Sequence, residues 1–530
     1  MDTANVARCR MPDKLTAMSD IVLATLNAKY IHASFGLRYL MANLGDLKPH
    51  ATLLEFDINQ RPLDIAEVLL AQKPRILGLG VYIWNVTETT EVVAAIKRIH
   101  PEIIVVLGGP EVSYETAQQE IVRIADHVIT GEADLKFADV CRQILAGKSP
   151  PKIIASELPE FSRLALPYEF YDAKDIAHRV IYVEASRGCP FSCEFCLSSL
   201  DVPVRAMNLD LFLSEMQKLM DRGVRQFKFV DRTFNLNLNT SRTILEFFLA
   251  RHRPANFYHF EMIPDRLPEA LRETIAKFPA GSVQFEVGIQ TFNPVVGKLI
   301  SRKQDYAKLN DNLNWLRGQT GVHVHADLIV GLPGEDIASF GSGFDKLIAL
   351  RPQEIQVGIL KRLRGTPIVR HDAEWQMTYA AHPPYEILQT KLIDFATMQR
   401  LRRFARYWDL VGNSGNFFET TQLLWIGGGS PFESFLRWSD WLHAAINRTD
   451  SIALARLMEF LFVYLTKEKK LIAQKVAETL WHDVQRAGRK EKPPFLREFI
   501  PDSIHDTPQG KRSSLKRQSR HAAPPNSLPH

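Results

Sequence analysis

Glu184-Ala-Ser-Arg-Gly-Cys189-Pro-Phe-Ser-Cys193-Glu-Phe-Cys196 is the stretch that decides how this chain is read. Three of the five cysteines fall within it, spaced C-x3-C-x2-C, directly after the apolar run 180–183. Thiolates this close in sequence point to a metal site. A structural zinc site closes with four ligands, and the nearest histidines, His178 and His252, have no finger-like spacing to the motif. A four-iron cluster held wholly by protein uses four cysteines, so three leave one iron open to a substrate or cofactor. Cys9 and Cys141 stand alone and read as bystanders. So sparse a set excludes a secreted disulfide framework and fits a reducing cytoplasm.

The motif resembles the signature of the radical S-adenosylmethionine (SAM) enzymes. The resemblance implies that Cys189, Cys193 and Cys196 bind three irons of a [4Fe–4S] cluster and that SAM chelates the fourth. It also implies reductive cleavage of SAM to methionine and a 5′-deoxyadenosyl radical, which removes hydrogen from an unactivated carbon. The electron would come from a one-electron reductant such as flavodoxin or ferredoxin.

Downstream, strand and helix alternate about six times over 180–365. Strands are expected at 180–185, 226–231, 257–262, 283–289, 323–330 and 354–360. Helices are expected at 209–221, 240–252, 268–278, 306–318 and 337–350. That count fits a partial (β/α)6 barrel of TIM type, the fold the resemblance implies, with chemistry at the carboxyl ends of the strands. By resemblance, Phe195 contacts the SAM adenine through its backbone, and Asp231 or Thr233 meets the SAM amino group after the second strand. Asp231 reads equally well as a loop cap. The segments containing Glu286 and Gln290, and Gly331 and Pro333, resemble those lining the SAM ribose and adenine.

Upstream, residues 18–150 alternate short apolar runs (21–26, 52–56, 76–81, 103–107, 127–130) with helical stretches such as 36–47 and 87–100. The pattern predicts a doubly wound, Rossmann-like parallel sheet. Ligands of such sheets sit beyond the carboxyl ends of the strands. There lie Tyr82 and Trp84, Gly108 and Gly109, and Gly131 and Glu132. Together, these ends resemble the cobalamin-binding domain that precedes many radical SAM domains. The resemblance departs at Asn27-Ala-Lys-Tyr-Ile-His32-Ala-Ser-Phe-Gly36, which lacks the Asp-x-His-x-x-Gly spacing of a histidine cobalt ligand. His32 reads as a loop residue. Residues 151–179 read as a packed connector, and 1–17 as a disordered leader.

Residues 366–490 turn helical, with stripes at 386–407, 432–446, 452–466 and 471–486. Tryptophans concentrate there, among them Trp408, Trp425, Trp438, Trp441 and Trp481. The region resembles the C-terminal extension of a DUF4080-like subgroup of these proteins. The net charge is +5, and Lys511, Arg512, Lys516, Arg517 and Arg520 account for all of it. The body is therefore neutral, and 491–530 reads as a basic, disordered tail rather than a nucleic-acid surface. No stretch approaches a membrane span.

The resemblance implies a cobalamin-dependent radical SAM enzyme, most often a methyltransferase taking its methyl group from methylcobalamin. Cyclisation or rearrangement without net methylation is the alternative among enzymes. A cobalamin- or redox-sensing module is the alternative outside them. The substrate is not legible.

Overall fold

The computed structural model describes residues 19–201, 203–489, 491–501 and 517–521. The expected leader 1–17 lies outside these. The chain divides into two compact units, with the break between Arg179 and Val180.

The first unit is built on six parallel strands: β1 (Ile21–Asn27), β2 (Ala51–Asp57), β3 (Ile76–Gly80), β4 (Ile104–Gly108), β5 (His127–Thr130) and β6 (Ile153–Ala155). Their order is β2-β1-β3-β4-β5-β6. All seven residues of β1 are buried, because helices cover both faces and both must be apolar. Val22, Ala24 and Leu26 enter one core, and Ile21 and Leu23 enter the other. The strand order reverses between β1 and β3, which is where such a sheet opens a crevice.

The connector expected at 151–179 is part of this unit. β6 extends the sheet from within it. Its helix, Ala173–His178, opens on a capping box between Asp172 and Asp175. A buried ion network then ties it to the sheet. Arg38 lies 2.8 Å from Glu55 and 2.6 Å from Asp175, and Arg179 lies 2.7 Å from Glu55. Charged residues spaced this widely in sequence carried no signal that they would meet.

The second unit carries six parallel strands: β7 (Ile181–Val183), β8 (Gln226–Phe229), β9 (Phe257–Met262), β10 (Val283–Gln290), β11 (His323–Val330) and β12 (Glu354–Ile359). The order β12-β11-β10-β9-β8-β7 runs in sequence, as a partial barrel requires. The connecting helices start where side chains satisfy their free N–H groups: Asn208, Asn237, Asp305 and Asp336 each accept from the first turn. Phe227, Phe229, Phe260 and Phe285 face the helices and are buried.

The region 366–490 packs within the same compact unit as the barrel. One expectation about it needs correction. The expected helix 386–407 is broken: Ile387–Gln389 is a strand, and the helix runs Phe395–Leu410 from its N-cap Asp394. Ile387 N–H donates to Leu360 O at 2.8 Å, so the chain returns to the end of β12 before turning helical. Asn413 pairs with both backbone groups of Ile355 at 2.8 Å, closing an edge strand that would otherwise leave them open.

The tail at 491–530 is not uniformly a solvated segment. Leu496 is buried. Arg517 sits 2.8 Å from Glu354 and 2.7 Å from Asp409, and buried His521 bonds Asn413 O at 2.9 Å. The carboxylates at the start of β12 and on the 395–410 helix draw in basic residues that a composition count assigns to solvent. Lys511, Arg512 and Lys516 lie outside the described residues.

Candidate functional site

The cysteine loop leaves the carboxyl end of β7. Gly188 must be glycine there: its φ is +90°, and a Cβ would lie 2.7 Å from Asp201 O. Cys189 N–H donates to the same Asp201 O at 3.0 Å, and Cys196 N–H closes a turn onto Cys193 O at 3.1 Å. Cys189 and Cys193 are buried and Cys196 is half-buried.

All three cysteines line one cavity of about 180 Å³ at the carboxyl ends of the strands. Burial pushes the Cys189 thiol up, and the nearby Cys196 and Cys193 add to the rise, while a backbone hydrogen bond at Phe191 and the Arg302 charge oppose it. Among the described residues no three His, Cys, Asp or Glu side chains gather closely enough for a single metal ion. A cuboidal cluster differs in taking each thiolate on a separate iron. The donor set therefore fits such a cluster.

The expected SAM-side residues divide. Phe195, Thr233, Glu286 and Gln290 line the cavity with the cysteines. Gln290 has a left-handed backbone, φ +72°, beside an irregularity in the β10–β11 pairing, and its Oε1 is buried without a protein partner. Strain of this kind persists where the surroundings impose it, often at sites. Asp231 does not line the cavity. Its buried carboxylate accepts from Ala185 N–H at 3.0 Å and Ser186 Oγ at 2.6 Å, so it caps the start of the cysteine loop. Burial still raises it to about 6. Gly331 and Pro333 do not line the cavity either. A Cβ at Gly331 would meet Ile387 and Met398, so that turn is packed under the C-terminal region.

Several lining residues were missed: Arg232, Glu261, Asp265, Arg302, Lys303 and Asp327. Lys228, His259, Glu261, Glu286, His325 and Asp327 share register and parity with residues on this inner face. Glu286 accepts from His259 at 2.9 Å. Burial works against its ionisation, but the His259 hydrogen bond and the Lys228 charge prevail and hold it at about 2. Asp327 is pushed well above its ordinary range by burial and by the charges of Glu286 and Glu261. The signal was present: in His323-Val-His325-Ala-Asp327, polar residues recur at every second place, unusual for a parallel strand covered on both faces. Arg302 donates to Cys193 Sγ at 3.4 Å.

In the first unit, the expected cobalamin-side residues lie at the ends of β3, β4 and β5. Tyr82 and Trp84 stack at 4.5 Å beside the crevice. Trp84 Nε1 and Asn85 Nδ2 both donate to Leu26 O, at 3.3 and 2.9 Å, tying this loop to the end of β1. A Cβ at Gly108 would meet nothing nearer than Ile129 O at 3.8 Å, so the fold itself does not require glycine there. Gly109 is required by the fold, as a Cβ there would lie 2.4 Å from Val81 O. Gly131 is left-handed, and Glu132 O accepts from Ser156 Oγ. The aromatic pair and a glycine the fold does not require suit a large planar ligand at the switch point.

Comparison with known families bears on both sites. The B12 binding domain matches residues 21–140, and the radical SAM superfamily matches 183–345. A protein family of unknown function, DUF4080, matches 373–522. The chain joins a B12 binding domain to a radical SAM domain. Their cofactors are cobalamin, a [4Fe–4S] cluster and SAM. The DUF4080 match includes residues 517–521, which pack against Glu354 and Asn413.

An uncharacterised methyltransferase of Pyrococcus horikoshii is 24% identical over 310 residues, covering 51% of this chain and 63% of that protein. The 2-(S-pantetheinyl)-carbapenam-3-carboxylate methyltransferase of Streptantibioticus cattleyicolor is 24% identical, covering 56% of this chain and 48% of that protein. The chain thus spans less than two thirds of either relative. Among solved structures, the radical SAM methyltransferase TsrM from Kitasatospora setae, with cobalamin and a [4Fe–4S] cluster bound, has a TM-score of 0.55 at 17% identity. It covers 87% of this chain and 100% of that one. The cobalamin-dependent SAM radical enzyme OxsB, with aqua-cobalamin bound, has a TM-score of 0.58 at 13% identity and covers 88% and 80%. These likenesses are ones of fold. Among the described residues, no helix is long and apolar enough to cross a membrane.

Proposed function

We propose that this chain is a cobalamin-dependent radical SAM methyltransferase. The observation that supports it most is the gathering of Cys189, Cys193 and Cys196 with Phe195, Thr233, Glu286 and Gln290 on one cavity. When bound, the cluster supplies an electron that cleaves SAM to methionine and a 5′-deoxyadenosyl radical, and cobalamin supplies a methyl group.

The chain's own residues then have separable tasks. Cys189, Cys193 and Cys196 would hold the cluster as thiolates. The Arg302 guanidinium, beside Cys193, offsets negative charge from the thiolates. Gln290 presents an unpaired carbonyl to the cavity, suited to a hydroxyl or amine. Phe191, Met262 and Ile263 supply apolar wall and keep water from a reactive carbon centre. Glu286, whose charge His259 and Lys228 favour, and Asp327, whose protonation burial favours, lie on adjoining strands as acceptor and donor candidates. A reductant such as a flavodoxin or ferredoxin would deliver the electron.

The test is anaerobic reconstitution with iron and sulfide, followed by SAM and reductant. Wild type is expected to release 5′-deoxyadenosine, and Cys193→Ala to lose both the cluster absorbance and the release. If wild type releases none while a control enzyme does, the radical reading fails. With substrate present, label from the SAM methyl group is expected in the product; its absence would leave cyclisation or rearrangement.

A further inference from the structure

Glu194 lies between Cys193 and Cys196, and its side chain is only 2% exposed. A buried carboxylate needs partners, and this one has three. Ser301 Oγ donates to Oε1 at 2.5 Å, Arg370 donates to the same oxygen, and His371 Nε2 lies 2.8 Å from Oε2. Its backbone is held as well. Glu194 N–H donates to Ile300 O at 3.1 Å, and Glu194 O accepts from Ile368 N–H at 3.0 Å. One residue of the cysteine loop is thus gripped by two segments, 300–301 and 368–371. The first continues into Arg302, which reaches Cys193 Sγ. The second immediately precedes the DUF4080 match at 373. Ser301 is left-handed, φ +55°, so this grip is kept at a backbone cost.

We propose that Glu194 is a positioning residue for the iron–sulfur centre, and that Arg370 and His371 make the segment leading into the DUF4080 region a working part of that centre. The inference rests on the cluster reading of the three cysteines. The clamp fixes the path of the chain from Cys193 to Cys196 and pairs a buried carboxylate with a largely exposed guanidinium on the loop that carries the ligands. Charge near a cluster, and hydrogen bonding around it, set its reduction potential. An anion stabilises the oxidised form and a cation the reduced form.

The experiment compares wild type, Glu194→Gln and Arg370→Ala as anaerobically reconstituted full-length protein. Iron content and cluster potential, the latter from a redox titration followed by electron paramagnetic resonance, are the readouts. Glu194→Gln is expected to move the potential positive and Arg370→Ala to move it negative, by less, since Arg370 is partly exposed. Both are expected to lose iron to a chelator faster than wild type. Ser301→Ala, which removes a single hydrogen bond, takes the place of either variant if it does not fold, and is expected to speed iron loss alone. Unchanged potentials and unchanged iron loss, or potential shifts of the same sign, would overturn the proposal. A wild type that takes up no cluster would instead overturn the cluster reading itself, and this inference with it.

Discussion

The molecule contains two six-stranded parallel sheets, and they put their chemistry in different places. In the first, strand interiors are apolar on both faces, as in Ile-Val-Leu-Ala-Thr-Leu-Asn of β1. Toward the strand ends lie Asn85, Glu55, Tyr82 and the glycines after β4 and β5, and the buried Thr25 within β1 is satisfied by Gly80 O. In the second, only the helix-facing side is apolar. The inner side carries Lys228, His259, Glu261, Glu286, His325 and Asp327 along the strands themselves. A sheet covered by helices on both faces holds charge only where it is paired, as Glu55 is with Arg38 and Arg179. A sheet curled on itself has an interior where charges can neutralise one another and face a ligand.

The contrast is sharpest for a charge placed mid-strand. Leu107→Asp in β4 puts an unpaired carboxylate among Val105, Leu79 and Val128, which are fully or nearly fully buried. A loss above about 5 kcal/mol is expected, enough to unfold the first unit. Glu286→Gln in β10 removes a charge but keeps an acceptor for His259, and a loss of about 3 kcal/mol is expected. Urea unfolding followed by circular dichroism measures both. Comparable losses would break the distinction between the sheets.

Within the first sheet, adjacent glycines separate fold from ligand. Gly109→Ala combines a left-handed backbone with a Cβ driven into Val81 O, and a loss of about 4 kcal/mol is expected. Gly108→Ala meets nothing closer than 3.8 Å and is expected to leave stability unchanged while weakening cobalamin binding. Thermal melting and titration with cobalamin distinguish them. If Gly108→Ala binds as wild type does, the ligand edge does not run past β4.

How much of this was legible follows from the same contrast. Most strand positions were readable, because apolar runs are local signals, but β6 fell inside the expected connector. The cysteine loop was readable because its ligands are close in sequence. The inner-face charges were visible as alternation in β11 but were not collected into a site, since their meeting depends on the register of four strands. Asp231 and Gly331 sit at the right strand ends yet face other partners, Ser186 and Ile387. A strand end gives an address without a direction. The Glu194 clamp and the docking of Arg517 and His521 join residues more than 100 positions apart, and no local pattern announces such pairs.

One further effect depends on pH and is one the second sheet's surroundings can show, a proton bound in the folded state. Glu335, just past β11, is buried, with Thr291 Oγ1 donating to Oε1 at 2.6 Å and Oε2 unpartnered. Burial raises its carboxyl from 4.5 to about 7, against the Thr291 and Ser339 hydrogen bonds. Below pH 4.5 the folded and unfolded chains both hold this proton. Between 4.5 and 7 the folded chain keeps it and the unfolded chain releases it, so stability falls as pH rises. Above pH 7 the contribution is gone. Glu335→Gln imitates the protonated group at every pH. Its advantage over wild type is expected to grow from nothing at pH 4.5 to about 3 kcal/mol at pH 8. Urea unfolding of both proteins across that range measures the difference. Parallel curves would mean that the Glu335 site is polar enough to hold the charge, and that this rim of the second sheet is no drier than the strand ends of the first.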